Sequence, residues 1–466
     1  MSEAQQPSAM DKNAWPEWIR PYLNWKMAAM LVLGFASGLP LMMVFSKLSA
    51  WLRIEGIDRA TIGGFYAVSL AYSIKVLWAP AVDRLPLPML SKLFGQRRSW
   101  MLLAITGTII GFVIIATSNP GENLQQTIIG ALILAFSGAT LDIAIDAWRI
   151  ESAPNDEQAN MAAVYNLGYR FAIMFAGVGL IIAGSTSFLV AYLVMAAVML
   201  ILATLVLIIK EPSRTERVEE ENKSILLRTR DAIVEPFWQI VARYGKWAFI
   251  VLAIVALYRI SDFTMGIMAV PFYIDLGFTP ETIGTIQALF GPWPIIAGGF
   301  IGGFVAVRYS LLPALLAGGI LTLLTNGAFA LLGIAAGPDL EIVAQAVSQD
   351  LPIPDGAIVN TPSNLALLCV IVADNLAAGY VGTVFIAYMS SLVDRRFAAT
   401  QYALLSSAYA FFCKLAASTT SGPLSETIGW VGFFSVTSLY TVPPMILILI
   451  LMRYGPDNAK GLPTPS

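Results

Sequence analysis

The stretch SGATLDIAIDAWRIE, residues 137–151, places charged side chains inside a segment that is otherwise apolar and helix-forming. Asp142 and Asp146 are four residues apart, and Arg149 follows three residues later. At about 100° per helical residue, the three side chains fall within roughly 60° of one another. Charged side chains of this kind need water or other charges beside them. The fold therefore depends on whether this helix lies in water or in a membrane.

Composition indicates that those surroundings are a membrane. The chain has 466 residues, of which 57% are hydrophobic and 12% are charged, whereas a soluble protein has about 25% charged residues. Apolar runs close to the roughly 20 residues that cross a bilayer recur from end to end. We therefore predict an all-α integral membrane protein with twelve transmembrane helices. The predicted spans are 27–51, 60–80, 100–117, 125–149, 159–183, 188–209, 247–274, 281–306, 311–333, 363–392, 399–421 and 430–452.

The distribution of Lys and Arg predicts the orientation. With the N-terminus in the cytoplasm, most of the 28 Lys and Arg residues fall in cytoplasmic segments, as is usual, and only Arg53 and Arg59 fall in outer loops. Both termini are therefore predicted to be cytoplasmic. The predicted domains are an N-terminal tail (1–26), a six-helix bundle (27–209), a cytoplasmic central loop (210–246), a second six-helix bundle (247–453) and a C-terminal tail (454–466).

A short repeat supports the division into two halves. GIDRATIG at 56–63 matches GFTPETIG at 277–284, and each copy directly precedes the second span of its half. The loop after span two, DRLPLPMLSKLFGQRR at 83–98, is basic. Six plus six spans, a charged central loop and this basic loop resemble the major facilitator superfamily, in which substrate binds between two related halves. We interpret charged residues at the inner surface as a conformational latch: Asp83, Arg84, Arg97, Arg98 and Arg149.

Two cations inside the predicted transmembrane spans are the strongest candidates for substrate binding. Arg170 and Lys414 lie near mid-membrane on spans five and eleven, and neither has a carboxylate within one turn of its own helix. Amide, hydroxyl and cationic groups suit a polar anionic ligand that carries sugar-like groups. The remaining candidate substrate contacts are Asn166, Tyr165, Tyr169 and Arg259.

Carboxylates must carry any proton chemistry, because the chain has no histidine. The candidates for proton coupling are Asp374, Asp142, Asp146 and Asp262. Asp374 has no cation on its own helix, and desolvation favours the neutral form of such a carboxyl. Asp262 follows Arg259 by three residues and is expected to pair with it. A substrate anion that draws Arg259 away would leave Asp262 to take up a proton.

The other intramembrane charges have simpler interpretations. Lys75 lies two-thirds of the way inward on span two and is expected to pair with an aspartate on a neighbouring helix. Lys47 lies near the outer end of span one, from where its long side chain is expected to reach the lipid headgroups. Cys369 and Cys413 fall inside predicted spans and are expected to pack as small hydrophobic residues. We expect no metal, no cofactor and no nucleic-acid partner.

Several ordered strings resemble the AmpG-type muropeptide permeases over nearly all of the first 450 residues. They include LGFASGLPL (33–41), KVLWAPAVDR (75–84), DIAIDAWR (142–149), LYRISD (257–262) and DNLAAGYVGT (374–383). The resemblance implies a proton-driven importer of N-acetylglucosaminyl-anhydromuramyl peptides in the bacterial inner membrane, acting as a monomer on a small anionic glycopeptide. It also places five residues at the family's charged positions: Asp142, Asp146, Arg170, Asp262 and Asp374.

The chain departs from the family at polar positions near the expected cavity. Ser49 and Leu141 stand where glutamine is common, Ala288 stands where lysine is usual, and Lys47 is additional. The ligand can therefore differ, and another organic anion such as an acyl-coenzyme A is the alternative substrate. A membrane sensor without transport is a second alternative. An intramembrane enzyme is disfavoured because the chain has no histidine and no clustered cysteines.

Overall fold

A computed structural model describes residues 24–152, 157–212, 241–348, 351–392 and 398–456, and these residues are almost entirely helical. The central charged segment beyond residue 212 lies mostly outside them. We label the principal helices α1 to α13 in chain order. They are α1 (Trp25–Ile54), α2 (59–84), α3 (Gln96–Ala116), α4 (Leu124–Ser152), α5 (Gln158–Ser185), α6 (Phe188–Ile208), α7 (Val241–Asp275), α8 (Pro280–Tyr309), α9 (Leu311–Ala336), α10 (Leu340–Ser348), α11 (Asn364–Leu392), α12 (Ala398–Leu439) and α13 (Val442–Tyr454).

Ten helices in the described residues are long and apolar enough to cross a membrane. One of them, Leu405–Tyr454, is 50 residues long and contains Gly429 at φ 71°, a conformation that breaks a helix. At 1.5 Å per residue this stretch is far longer than a bilayer, so it provides two crossings. The α2 segment is interrupted by 3₁₀ turns at Tyr66–Ser69 and Lys75–Leu77. The architecture is consistent with the twelve predicted crossings.

The repeated motif forms the same local structure in both halves of the chain. Gly56 and Gly277, which begin the two copies, have φ values of 76° and 87°, a region that glycine adopts without steric cost. Two residues later, the Asp58 carboxylate and the Thr279 hydroxyl cap the next helix by accepting hydrogen bonds from backbone N–H groups, at 2.7 and 3.3 Å. The short sequence match therefore reflects a structural repeat.

The last glycine of each copy brings the two halves into backbone contact. A Cβ added at Gly63 on α2 would lie 2.7 Å from the backbone nitrogen of Gly422 on α12. One added at Gly284 on α8 would lie 2.6 Å from the carbonyl oxygen of Gly177 on α5. Side chains are excluded at both crossings, so α2 packs against α12, and α5 packs against α8, at minimal separation.

The buried core shows which side of the molecule is closed. Following the predicted orientation, we call the end that carries residues 54–58 and 276–280 the outer end. One continuous core fills the first half of the chain and the outer part of the second half. A separate core fills the inner part of the second half, around Tyr258, Leu315 and Tyr388. Among the described residues, a shared core thus joins the halves at the outer end, and no shared core joins them at the inner end.

Gly63→Ala should destabilise the protein, because its methyl group would overlap the backbone of α12. Overpacking of this kind costs about 1–3 kcal/mol. Gly64→Ala is the matched control, since a Cβ at Gly64 meets nothing within 4 Å. We expect the thermal unfolding midpoint in detergent to fall for Gly63→Ala and to be unchanged or raised for Gly64→Ala. Equal midpoints would show that the crossing tolerates a side chain.

Candidate functional site

In the first half, Asp142 on α4 is the centre of a polar cluster. Its Oδ1 accepts a hydrogen bond from the Ser37 hydroxyl on α1 at 2.5 Å, and its Oδ2 lies 3.3 Å from Nζ of Lys75 on α2. The Ser37 hydroxyl is also 2.7 Å from the hydroxyl of Tyr165 on α5. Four helices therefore meet at one carboxylate. The expectation that Lys75 pairs with an aspartate on a neighbouring helix is confirmed.

Two glycines on α1 make this cluster possible. A Cβ at Gly34 would collide with the backbone carbonyl of Tyr165, and one at Gly38 would lie 2.9 Å from the Ala172 side chain. The close approach of the two helices brings Ser37 within reach of Tyr165. Tyr165 thus contacts the Asp142 cluster, while the neighbouring Asn166 amide is exposed and donates to the Ala162 carbonyl of its own helix at 3.0 Å.

Asp146 has a different environment from Asp142, although both belong to the stripe predicted from the sequence. Its side chain is 52% exposed, and its Oδ1 lies 3.5 Å from Nη2 of Arg149. This pair lies one turn nearer the inner end of α4. Asp142 is thus held by protein groups, whereas Asp146 is accessible.

In the second half, Arg259 and Asp262 form the expected pair at a break in α7. The helix is regular over Ala248–Leu257 and again over Ile260–Asp275. Nε of Arg259 lies 2.8 Å from Oδ2 of Asp262, but at an angle that leaves both atoms without a hydrogen bond. These two atoms therefore attract each other by charge without a well-aligned hydrogen bond between them.

Asp374 on α11 lies near enough to Arg259 and Asp262 for their charges to interact. It is half-buried, and it forms no hydrogen bond or ion pair with another described residue. Gly382 on the same helix packs beside the Arg259 guanidinium, where a Cβ would be 3.6 Å from Nη1. Asp374 and Asp262 therefore face a single shared cation.

The two cations proposed to bind substrate have no carboxylate partner among the described residues. Nζ of Lys414 on α12 crosses to the first half, where it donates to the Ser69 carbonyl at 3.2 Å and lies 5.7 Å from the centre of the Tyr72 ring. Arg170 on α5 is half-buried, as is Tyr169 beside it. Both cations therefore retain charge that an anionic ligand can neutralise.

The expectation for Lys47 is wrong. Its side chain does not reach the headgroups: the residue is 4% exposed, and its ammonium group donates a hydrogen bond to Oε1 of Gln287 on α8. Lys47 therefore contacts the opposite half of the protein. The expectation for Cys369 is also wrong, because it is exposed, whereas Cys413 is buried as expected.

A buried ion pair closes the outer end, and the sequence analysis did not identify it. Nε and Nη2 of Arg53 lie 2.5 and 2.8 Å from the two carboxylate oxygens of Asp275. Trp430 Nε1 donates to the same carboxylate at 2.8 Å. Arg53 was assigned to an outer loop, but it lies within α1 and is fully buried. Its partner is 222 residues away in the chain, a distance at which no local pattern signals pairing.

The outer helix α10 adds a second connection across the halves. Nη2 of Arg59 lies 3.1 Å from Oε2 of Glu341 on α10, and its guanidinium lies 4.7 Å from the centre of the Trp430 ring. The Ala344 carbonyl on α10 accepts a hydrogen bond from Arg53 at 2.8 Å. The segment between α9 and α11 therefore contains a helix that seals the outer end.

The latch candidates at the inner surface contact their own half in this conformation. Arg97 forms a two-pronged ion pair with Glu151 at the end of α4, at 2.6 and 2.9 Å. Glu211, after α6, accepts hydrogen bonds from the backbone N–H groups of Arg97 and Arg98 and so caps α3. Sequence reasoning missed both glutamates. The side chains of Asp83 and Arg84 lie outside the described residues.

The profile of the Major Facilitator Superfamily matches residues 30–417. The chain belongs to this superfamily. The AmpG 4 protein of Rickettsia conorii is 31% identical to it over 92% of this chain and 97% of that protein. The anhydromuropeptide permease of Escherichia coli K12 is 30% identical over 93% of this chain and 81% of the permease.

Solved structures of other superfamily transporters show the same fold. A bacterial homologue of the human lysosomal transporter Spinster, in an inward-facing and unoccupied conformation, aligns with a TM-score of 0.64 over 97% of this chain and all of that chain, at 12% identity. The nucleoside transporter NupG aligns with a TM-score of 0.63 over 91% of this chain and 99% of that one, also at 12% identity.

The predicted fold and family are therefore confirmed. The chain is a multi-pass protein of the bacterial inner membrane with the major facilitator fold, and it resembles the AmpG-type permeases over most of its length. Its family consists of transporters, which agrees with the expectation of a non-enzymatic protein that acts on a small molecule.

Arg53→Met should open the outer end, because removing one member of a buried ion pair leaves the other charge buried, at a cost of about 3–5 kcal/mol. Ser49→Cys, placed inward of the closure, provides a probe once Cys369 and Cys413 are replaced. We expect an impermeant maleimide added outside to label it at least tenfold faster in the Arg53→Met variant.

Lys26→Gln is the control for this experiment. It breaks a partly exposed ion pair with Glu157, at 3.2 Å, and exposed pairs contribute only about 0–1 kcal/mol. Its labelling rate should equal that of the parent protein. An unchanged rate in Arg53→Met would mean that the pair with Asp275 does not hold the outer end closed.

Proposed function

We propose that this protein is a proton-coupled secondary transporter that imports anhydromuropeptides across the bacterial inner membrane by alternating access. The observation that carries the proposal is a pair of cations, Arg170 and Lys414, that have no carboxylate partner among the described residues of a transporter fold; Lys414 also reaches across to the first half. The likeness to the Escherichia coli anhydromuropeptide permease supports an anhydromuropeptide as the ligand among organic anions. These compounds carry the carboxylates, amides and sugar hydroxyls that such a site can bind.

The ligand contacts follow from the chemistry of the side chains. The Arg170 guanidinium can bind a carboxylate through two parallel hydrogen bonds, and Lys414 can approach a second anionic group as a point charge. The exposed Asn166 amide offers both a donor and an acceptor to a sugar or peptide group. Tyr169 adds an aromatic surface beside them. We assign Tyr165 to the edge of this site, through its contact with Ser37.

The conformational cycle uses the closures at the two ends. We propose that the bundles formed by 27–209 and 247–453 rock against each other about the central site. The Arg53 and Asp275 pair is made in the inward-open state and must break when the outer end opens. At the inner end, residues of the basic loop with Arg149 are proposed to form the corresponding closure, exchanging partners within their half for partners in the other half.

Carboxylates beside shared cations provide the coupling to protons. A ligand anion that attracts Arg259 weakens the hold of this cation on Asp262 and on the nearby Asp374. A ligand anion that attracts Lys75 does the same for Asp142, and Asp146 lies one turn inward on the same helix. In each case the carboxylate left without a cation favours its protonated form. Ligand and proton would therefore bind together.

Uptake into proteoliposomes tests the function directly. We expect accumulation of an N-acetylglucosaminyl-anhydromuramyl peptide, stimulated by an acid-outside proton gradient, and no accumulation of acetyl-coenzyme A or of a dipeptide. Uptake of acetyl-coenzyme A in place of the muropeptide would assign the cations to a phosphate-bearing ligand. Ligand binding without uptake or counterflow would indicate a sensor.

Arg170→Gln and Lys414→Gln should each raise the KM for the muropeptide by about 10- to 100-fold, since charge-assisted hydrogen bonds contribute about 1.5–3 kcal/mol. Asn166→Ala should raise KM less, by about fivefold. Initial uptake rates over a range of ligand concentrations measure both effects. Loss of affinity in the two cation variants with no effect of Asn166→Ala would favour a ligand recognised through phosphate alone.

Asp374→Asn and Asp142→Asn should abolish the dependence of uptake on the proton gradient, because an amide cannot exchange a proton at this site. We expect downhill counterflow to persist in at least one variant, which separates coupling from ligand binding. Full gradient dependence in both variants would remove these two aspartates from the coupling mechanism.

A further inference from the structure

Lys47 is a buried cation whose hydrogen-bond partner carries no charge. Its side chain donates to the Gln287 amide oxygen, and the residue is 4% exposed. Among the described residues it has no carboxylate within ion-pair distance, unlike Arg53 and Arg59 at the same end of the protein. Burial of a charge against neutral groups is costly, so this arrangement requires an explanation.

The backbone holds Lys47 in place through a local irregularity. Residues Met43–Lys47 form a π turn within α1, and turns of this kind occur frequently at functional sites. The Tyr192 hydroxyl on α6 donates to the Met43 carbonyl at 3.0 Å, which fixes the start of the turn. The Lys47 side chain is therefore directed across the interface by a supported structure within the first half.

Lys47 lies along α1 between the outer ion pair of Arg53 and the Asp142 cluster that contains Ser37. It is six residues from Arg53 and ten residues from Ser37 along α1, which correspond to about 9 and 15 Å of helix. Its partner Gln287 belongs to the second half. Any movement that opens the outer end separates Lys47 from Gln287 and exposes the ammonium group to the outer water.

We propose that Lys47 is the residue that first binds the anionic group of a ligand arriving from outside. This inference rests on the proposed import of an anionic ligand. In the outward-open state Lys47 pairs with the ligand anion; on closure, Gln287 replaces that anion. The neutral amide satisfies the ammonium group without competing as a second anion. The ligand is thus released toward Lys414 and Arg170 while the outer end closes.

Transport kinetics of Lys47→Gln test the proposal. The ligands are the anhydromuropeptide and the same compound with its carboxylates amidated. We expect KM for the charged ligand to rise about tenfold with little change in maximal rate, KM for the amidated ligand to be unchanged, and Lys47→Arg to restore the parent KM. An unchanged KM for the charged ligand, or an equal rise for both ligands, would overturn the proposal.

Gln287→Glu is a second variant, which adds a negative charge beside Lys47 where Lys47→Gln removes the positive one. A carboxylate at this position would pair with Lys47 in the closed state and compete with the ligand anion, so the maximal rate should fall at least tenfold. Lys26→Gln, at the inner surface, is the control and should behave as the parent. A maximal rate in Gln287→Glu equal to that of the parent would contradict the exchange of partners.

A labelling experiment separates this inference from the proposed function. Lys47→Cys, in a background without Cys369 and Cys413, should react slowly with an impermeant maleimide added outside and much faster when Asp275→Asn weakens the outer closure. Failure of labelling in that background would show that Lys47 does not face the outer path. Absence of muropeptide uptake by the parent protein would overturn the proposed function, whatever the labelling result.

Discussion

Charged side chains in a membrane protein must be paired or hydrated, and this constraint organises the interior of the transporter. A charge at the centre of a membrane helix costs several kcal/mol when it faces hydrocarbon. The chain meets that cost in two ways, by pairing opposite charges and by leaving a charge exposed. Arg53 and Asp275 neutralise each other at the outer end, Asp142 and Lys75 do so in the first half, and Asp146 lies at an accessible position.

The charged side chains at the outer end and near the centre differ in how completely their hydrogen-bonding groups are satisfied. At the outer end, the Asp275 carboxylate and the Ala344 carbonyl accept hydrogen bonds from Arg53, and the Trp430 indole N–H donates to the same carboxylate. Near the centre, the one hydrogen-bond partner of Lys414 among the described residues is a backbone carbonyl, and Arg259 Nε and Asp262 Oδ2 are not aligned for a hydrogen bond. Groups that are fully satisfied favour one stable conformation, whereas groups that are partly satisfied can exchange partners at low cost. The charged groups of the outer closure are therefore more fully paired than those of the proposed binding site.

The sequence predicted the fold and family well, because hydropathy, the repeated motif and the ordered strings are local signals. It also predicted the Arg259 and Asp262 pair, which are three residues apart on one helix. It predicted that Lys75 pairs with an aspartate, but not which one, since neighbouring helices cannot be assigned from hydropathy. The Arg53 and Asp275 closure escaped notice because the two residues are far apart in the chain. Lys47 was misassigned because depth in the membrane does not reveal which way a side chain points.

The core of the second half is divided where α7 breaks. The break separates Ala248–Leu257, which packs in the inner core, from Ile260–Asp275, which packs in the outer one. The described residues of the first half share one undivided core. The two halves contain the same repeated motif, but their interiors are joined differently: one cluster runs through the first half and continues into the outer part of the second.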